Sequence, residues 1–265
     1  MIADKINKYL NDNKVRVDEA ILKEVGELSS WSFKRQFMEE NQRDHKGKLY
    51  LSSAGKCARQ LAYGYHDYTK KGKTIDARGK VVFFMGDLIE MSIISLAKLA
   101  GCELKHVGLD QTSCTFKLDG LDVEGHPDGI VNYLGRDILL EVKSMTSFGF
   151  RRFENGEIDD GYLAQINMYM ECMELNSCCM VAWAKDSGTI KEQVIQKDES
   201  VVEYAKENMQ SVVNSLRGNL PEGKYTYNDK GEYPWNCLYC AYWEHCKPNA
   251  EKIVKSGRYK LKEKE

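Results

Sequence analysis

One apolar run, ILLEVKSM over residues 138–145, constrains this chain more than any other stretch. A leucine- and isoleucine-rich run that ends in Glu141-Val142-Lys143 predicts a buried strand. Side chains two apart share a face of a strand, so Glu141 and Lys143 would stand side by side with Val142 turned away. Ahead of it, LDVEGHPDGIVNY reads as a second β-run, and Gly135 between the two predicts a hairpin turn. The hairpin would set Asp128 on the adjacent strand, so that Asp128, Glu141 and Lys143 converge.

This trio suits phosphodiester hydrolysis. Carboxylate oxygens hold Mg²⁺ or Mn²⁺ while leaving positions for water and phosphate. Such a metal acidifies water and neutralises charge developing on phosphorus, and a neighbouring ammonium can hold the attacking water or a phosphate oxygen. Taken alone, ILLEVK would more often be an edge strand with a surface ion pair. Similar triplets occur at Glu222-Gly223-Lys224 and Asp44-His45-Lys46, but neither follows an apolar strand. The GHPDGIV run before ILLEVK is what favours a site.

Two further segments bear on it. FFMGDLIEMSII places Glu90 on an otherwise apolar helix, one turn after Gly86; a carboxylate there is costly unless a cation or donor meets it. YLAQINMYM puts Gln165 and Tyr169 one turn apart on one helix face, although a glutamine on a helix is usually solvated.

The remaining chain alternates helices and strands. Residues 1–48 read as a polar, weakly amphipathic helical region. SSAGKCARQLAYGY opens with serine caps and reads as a helix start. The basic linker TKKGKTIDARGK leads into a long helix over 82–99, whose charges at Asp87, Glu90 and Lys98 exclude an uncharged membrane span. Later come a helix over 162–175, strands over 178–184 and 189–195, and a helix that Asp198 caps. That last helix would bury Val201, Val202, Ala205, Met209, Val212, Val213 and Leu216, with Gly218 at its C-terminus. The order predicts an α/β fold with a mixed sheet flanked by helices.

The sequence G-x-x-x-E, G-x-x-D, E-x-K, Q-x-x-x-Y, from Gly86 to Tyr169, resembles the RecB-like branch of the PD-(D/E)XK nucleases. The resemblance implies a restriction-endonuclease-like core over 49–265. Glu90, Asp128 and Glu141 would be metal ligands, with the Val142 carbonyl as a backbone ligand. Lys143 would be the catalytic lysine, and Gln165 and Tyr169 would support substrate or the lysine. Many relatives carry histidine where this chain has Glu90, which leaves Mg²⁺ against Mn²⁺ open. His126, just ahead of the metal aspartate, is read as a supporting side chain.

WNCLYCAYWEHCKP spaces Cys237, Cys240 and Cys246 as C-x2-C-x5-C, a strong metal signal. The start MIADKINKYLNDNK is charged and lacks the apolar stretch of a signal peptide. The nine cysteines are therefore read in a reducing cytoplasm of a bacterium, archaeon or phage host rather than as disulfides. Cys57 stands where the AddB nuclease and the CRISPR-associated RecB-like exonucleases carry an isolated first cysteine. That resemblance implies a 4Fe–4S cluster on Cys57, Cys237, Cys240 and Cys246. Zinc with His245 as fourth ligand is the alternative, though residues adjacent in sequence rarely both turn to one small ion. Cys102, Cys114, Cys172, Cys178 and Cys179 lie in apolar runs and read as buried thiols.

The net charge of −2 gives no global sign of nucleic acid, so contacts must be local. Lys56, Arg59, Lys70, Lys71, Lys73, Arg78 and Lys80 form a basic stretch, and Arg151 and Arg152 follow the Glu-x-Lys strand. Both groups suit phosphates; a solvated linker is the other reading of 70–73. Gly72-Lys73-Thr74 lacks the first glycine of a phosphate-binding loop, so ATPase activity is excluded. Together with the resemblance, these features lead to the expectation of a DNA exonuclease on single strands, its 5′ polarity implied by resemblance alone. Tyr239, Tyr242 and Trp243 are candidate base-stacking surfaces. An endonuclease or flap nuclease on the same site, and a non-catalytic DNA-binding subunit, stay open. A recombination or CRISPR-adaptation protein is the partner class implied, and no membrane association is expected.

Overall fold

The computed structural model describes residues 1–12, 18–38, 46–68, 77–255 and 257–264. Helices α1 (Ile2–Leu10), α2 (Glu19–Phe33), α3 (Ala58–Tyr65) and α4 (Ala77–Leu99) precede strand β1 (Glu103–Lys105). A π-helical turn, Lys34–Met38, extends α2. Next come β2 (Cys114–Leu118), β3 (Leu121–Gly125), β4 (Gly129–Tyr133) and β5 (Arg136–Met145). Helices α5 (Ser147–Glu154) and α6 (Asp160–Cys172) lead to β6 (Ser177–Ala184), β7 (Ile190–Gln196) and α7 (Glu199–Val213). The end of the chain holds the short helices α8 (Trp235–Leu238) and α9 (Trp243–Cys246) and a hairpin of β8 (Ala250–Lys255) and β9 (Arg258–Glu263).

The main sheet has the order β1-β4-β5-β6-β7. Strand β5 runs antiparallel to β4 and parallel to β6, so the sheet is mixed. Parallel neighbours need a crossover, which α5 and α6 supply. Leu134 and Gly135, the two residues between β4 and β5, both have positive φ, 54° and 78°, as a tight hairpin with right-handed strand twist requires.

Alternation along β5 divides the core into two layers. Ile138, Leu140 and Val142 pack with Ile93, Ile94 and Ala97 of α4 and with Ile2 and Ile6 of α1. Leu139 and Met145 point the other way, into the layer of α6 and α7. Glu141 and Lys143 share the parity of Leu139, which directs them to the α6 layer.

The expected run over residues 121–133 is broken in the structure. Strand β3 pairs with β2 in a separate two-stranded sheet, and β4 joins the main sheet. Pro127 at the break has no N–H to give a ladder, and its carbonyl accepts from Gln111 Nε2 at 3.0 Å. At Gly129, φ is +150° and an added Cβ would stand 2.2 Å from Val107 Cγ1, so only glycine lets the chain turn into β4 straight after Asp128.

Asp198 caps α7 through Ser200 N, 2.9 Å away. The helix stops at Val213 with Asn214 as its C-cap. Leu216 is 70% exposed and Gly218 lies beyond the end, because the chain turns away to reach the terminal lobe. In that lobe Leu238, Ala250 and Leu261 form a separate small core; the β8–β9 hairpin was not foreseen. No helix among the described residues is long and apolar enough to cross a membrane.

Candidate active site

The β4–β5 register pairs Gly129 with Leu140, so Asp128, one residue before β4, comes level with Glu141. Asp128 Oδ2 accepts the Val142 N–H at 2.7 Å, which ties the carboxylate to the strand carrying the other two groups. Glu141 is 0% exposed. Its Oε1 accepts from Lys143 Nζ and, at 2.9 Å, from Gln165 Nε2 of α6. Its Oε2 is buried and has no hydrogen-bond partner among the described residues. The Lys143 ammonium also lies 5.1 Å from the centre of the Tyr162 ring. Tyr169 is 2% exposed, and a Cβ on Gly125 would stand 2.5 Å from its Cε1; its ring is wedged beneath β3. His126 is exposed.

The carboxyl groups of Glu90, Asp128 and Glu141 lie within electrostatic reach of one another. Burial, then Asp87 and Glu141, push the Glu90 carboxyl up from 4.5 to about 7. Burial and the charges of Glu141 and Glu90 also hold Asp128 well above the usual carboxylate range. Burial works against the Lys143 ammonium, but Glu141 and Asp128 outweigh it and keep the lysine charged. Burial, reinforced by Glu141 and Asp128, raises the Tyr169 hydroxyl. One ammonium facing this many acids leaves the pocket short of positive charge.

Asp87, which sequence reasoning passed over, organises the wall behind Glu90. It accepts from Ser32 Oγ at 2.5 Å, Arg35 Nη2 at 2.7 Å and Gln36 Nε2 at 3.0 Å. It therefore clamps α2 and the π-turn to α4, three residues from Glu90. Its i,i+3 spacing from Glu90 was the signal available in sequence.

The carboxylate crowding has a measurable consequence. A folded-state pKa raised from 4.5 to about 7 means a contribution to stability that is full below 4.5 and lost as pH rises through 7. At pH 8 in EDTA, Glu90→Gln is therefore expected to melt higher than the wild type by about 5 °C, corresponding to roughly 2 kcal/mol. At pH 4 the difference should vanish. Equal melting temperatures at pH 8 would remove the repulsion.

Cys57, Cys237, Cys240 and Cys246 line one narrow cavity of about 30 Å³. The Lys224 N–H donates to Cys57 Sγ at 3.3 Å and the Tyr242 N–H to Cys240 Sγ at 3.4 Å. Among the described residues no three His, Cys, Asp or Glu side chains are grouped so as to hold a metal ion, neither these thiols nor Glu90, Asp128 and Glu141. His245 lines a different cleft, with Tyr63 and Tyr68. Cys178 and Cys179 are fully buried, whereas Cys102, Cys114 and Cys172 are half-buried.

The basic candidates are scattered. Arg59 Nε donates to the Pro221 carbonyl at 2.6 Å. Arg152 pairs with Glu157 at 2.9 Å. Lys56, Arg78 and Arg151 are exposed. Lys70, Lys71 and Lys73 lie outside the described residues. Of the aromatic candidates, Tyr239 is 60% exposed, but Tyr242 is 5% exposed and stacks on Tyr63 with centroids 5.4 Å apart. Trp243 packs in the terminal lobe, with Lys252 Nζ 5.3 Å from its ring centre.

No family model and no curated protein matches this chain. Similar solved structures include SSO0001, at 17% identity and TM-score 0.47, covering 82% of this chain and 93% of that one. An alkaline exonuclease from Laribacter hongkongensis, LHK-Exo, is 16% identical with TM-score 0.46, covering 64% of this chain and 87% of its own; another structure of LHK-Exo contains dAMP. A phage related exonuclease from Haemophilus somnus 129PT is 14% identical with TM-score 0.38, covering 62% and 91%. At such low identity and TM-score, neither fold nor activity is carried over from them.

Proposed function

We propose that this chain is a divalent-metal-dependent DNA nuclease of the PD-(D/E)XK type, with residues 49–265 forming the nuclease domain behind a helical region at 1–48. The observation that carries the reading is the buried, unpartnered Oε2 of Glu141 beside Asp128 and Glu90. A buried carboxylate oxygen without a donor is costly, and a hard cation answers both that oxygen and the charge deficit. The donor set is all oxygen, as Mg²⁺ and Mn²⁺ prefer. Glu90, Asp128, Glu141 and the Val142 carbonyl would hold the ion by drawing together around it, since without metal no three such side chains among the described residues are grouped as an ion site. When bound, it supplies Lewis acidity at the phosphate and lowers the pKa of water.

The chain's own groups do the rest. Lys143, kept charged by Glu141 and Asp128, donates to the attacking water or to a non-bridging phosphate oxygen. Gln165 fixes the rotamer of Glu141 by holding Oε1, which leaves Oε2 for the cation. The Val142 N–H orients Asp128. Tyr169 supports α6 against β3, and Tyr162 walls the lysine.

For the terminal lobe, the reading is a 4Fe–4S cluster on Cys57, Cys237, Cys240 and Cys246. A single zinc ion needs four ligands within about 2.3 Å of one point. What supports the reading is that the four thiols line one cavity and two main-chain N–H groups donate to sulfur. Placing His245 in another cleft weakens the zinc alternative.

The substrate proposed is single-stranded DNA, degraded from an end and from the 5′ side. The test uses oligonucleotides labelled at opposite ends, and a circular single strand, with Mn²⁺. Progressive shortening from the 5′ end with the circle spared is the expected result. Rapid cutting of the circle would establish an endonuclease, products shortening only from the 3′ end would reverse the polarity, and full activity in EDTA would remove the metal site.

A further inference from the structure

Beside the cysteine cavity lies a second, more open cleft, between α3, the turn at 217–220 and α9, with a volume of about 470 Å³. We propose that this cleft is a phosphodiester-binding site for the nucleic-acid strand whose cleavage the carboxylate site performs. The proposal rests on the nuclease reading and adds to it a binding surface on the terminal lobe.

Charge is the first reason. The guanidinium groups of Arg59 and Arg217 line the cleft, with the His245 ring beside them, and no acidic side chain among the described residues does. Two guanidinium groups in one opening without acids repel one another unless an anion enters. Arg59 is the weaker witness. Its side chain passes near Gly223, which also lies near Cys246 Sγ, so its charge answers to the thiols as well. Arg217 carries the case: it makes no ion pair among the described residues, and its guanidinium lies 5.2 Å from the centre of the Tyr68 ring. The Tyr68 hydroxyl donates to the Arg217 carbonyl, which fixes the ring beneath the cation. A guanidinium ordered by stacking rather than by a carboxylate keeps its donors for a phosphate.

Shape and position are the second reason. Tyr63 and Tyr68 give the cleft an aromatic wall, stiffened by the stack of Tyr63 on Tyr242. Phosphate-binding cations beside aromatic rings are the means by which single strands are held without sequence preference. The lobe abuts the start of α6: Lys224 feels the charge of Asp160, and Tyr225 feels both Asp159 and Cys57. The same helix carries Tyr162 and Gln165 at the carboxylate site, so a single strand could engage both regions. His245 sits next to the thiol Cys246, so whatever holds the four cysteines also holds one wall of this cleft.

The experiment measures binding of labelled oligo-dT over a range of salt, with Ca²⁺ replacing Mn²⁺ to hold off cleavage. It compares the full-length wild type with Arg217→Ala, Arg217→Gln and Arg217→Lys, and records the visible absorbance and melting of each. Removing one phosphate contact should make the slope of log K against log salt shallower by about 0.7. Affinity should fall several-fold in Arg217→Ala and Arg217→Gln, while Arg217→Lys keeps the slope and the absorbance of all three stays at the wild-type level. Unchanged slope and affinity in a folded Arg217→Ala or Arg217→Gln, with wild type binding DNA, would overturn this site and leave the nuclease reading standing. A wild type that neither binds nor cuts DNA would overturn both.

Discussion

Lys143→Ala and Asp128→Asn should each slow DNA cleavage at least a hundredfold, a loss of about 3 kcal/mol or more of transition-state stabilisation. The two variants remove different things. Asp128→Asn keeps an oxygen to accept the Val142 N–H, now at 2.7 Å from Asp128, so the turn into β4 survives while a negative ligand is lost. Lys143→Ala leaves Glu141, 0% exposed, without its cation. Breaking a buried pair from one side destabilises by about 3–5 kcal/mol, so this variant should melt lower in EDTA. Saturating Mg²⁺ or Mn²⁺ should restore much of that stability, because the ion offers the charge the lysine supplied, yet cleavage should stay lost. The measurements are single-turnover rates on end-labelled DNA and melting curves with and without metal. Wild-type rates in a folded Lys143→Ala would sink the assignment of the site.

The second large effect is expected in the terminal lobe. Protein purified without oxygen should be brown, with about four irons per chain, and Cys57→Ser should lose the colour. It should also release residues 225–264 to protease while the main sheet remains folded. The lobe's own core is Leu238, Ala250 and Leu261, and α8 and α9 have four residues each. So small a core cannot by itself order a segment of this length. A cluster joining Cys57 to Cys246 would close a long loop and supply binding free energy as folding free energy. Zinc without iron in an anaerobic preparation would overturn the cluster. So would a lobe equally protected in Cys57→Ser, since the hairpin and the Tyr63–Tyr242 stack would then suffice.

The local pattern was legible wherever the period of an element does the work. The two-residue period of ILLEVK was enough to place Glu141 and Lys143 on one face. Gly135 marked the turn that brings Asp128 level with Glu141, and Asp198 marked the start of α7 through its own carboxylate. The C-x2-C-x5-C spacing identified three thiols of one constellation because they lie within a single short segment. Pro127 carried a readable signal that the run over 121–133 must break, since a proline cannot donate to a ladder; the β-like patterns farther out, Leu121 with Val123 and Ile130 with Val131, masked that signal.

Other features belong to the tertiary structure alone. No local rule sends β3 to a separate sheet, joins Asp87 to three donors on α2 and the π-turn, or buries Tyr242 against Tyr63 while leaving Tyr239 exposed. The β8–β9 hairpin, rich in lysine and glutamate, is ordered by its register and by Glu232, which binds Lys255 at 3.2 Å and Lys260 at 2.5 Å. Propensity could not signal such contacts. Sequence by itself determined which side chains share a strand face or helix face, because periodicity is a property of the backbone. Which faces meet lies in the tertiary structure: that Glu90 of α4 feels the charge of Glu141, and that Cys57 lines one cavity with a segment far down the chain, were expected from the resemblance and not from any local pattern. Both depend on long-range packing, where many weak contacts choose the partner and no short stretch of sequence encodes the choice.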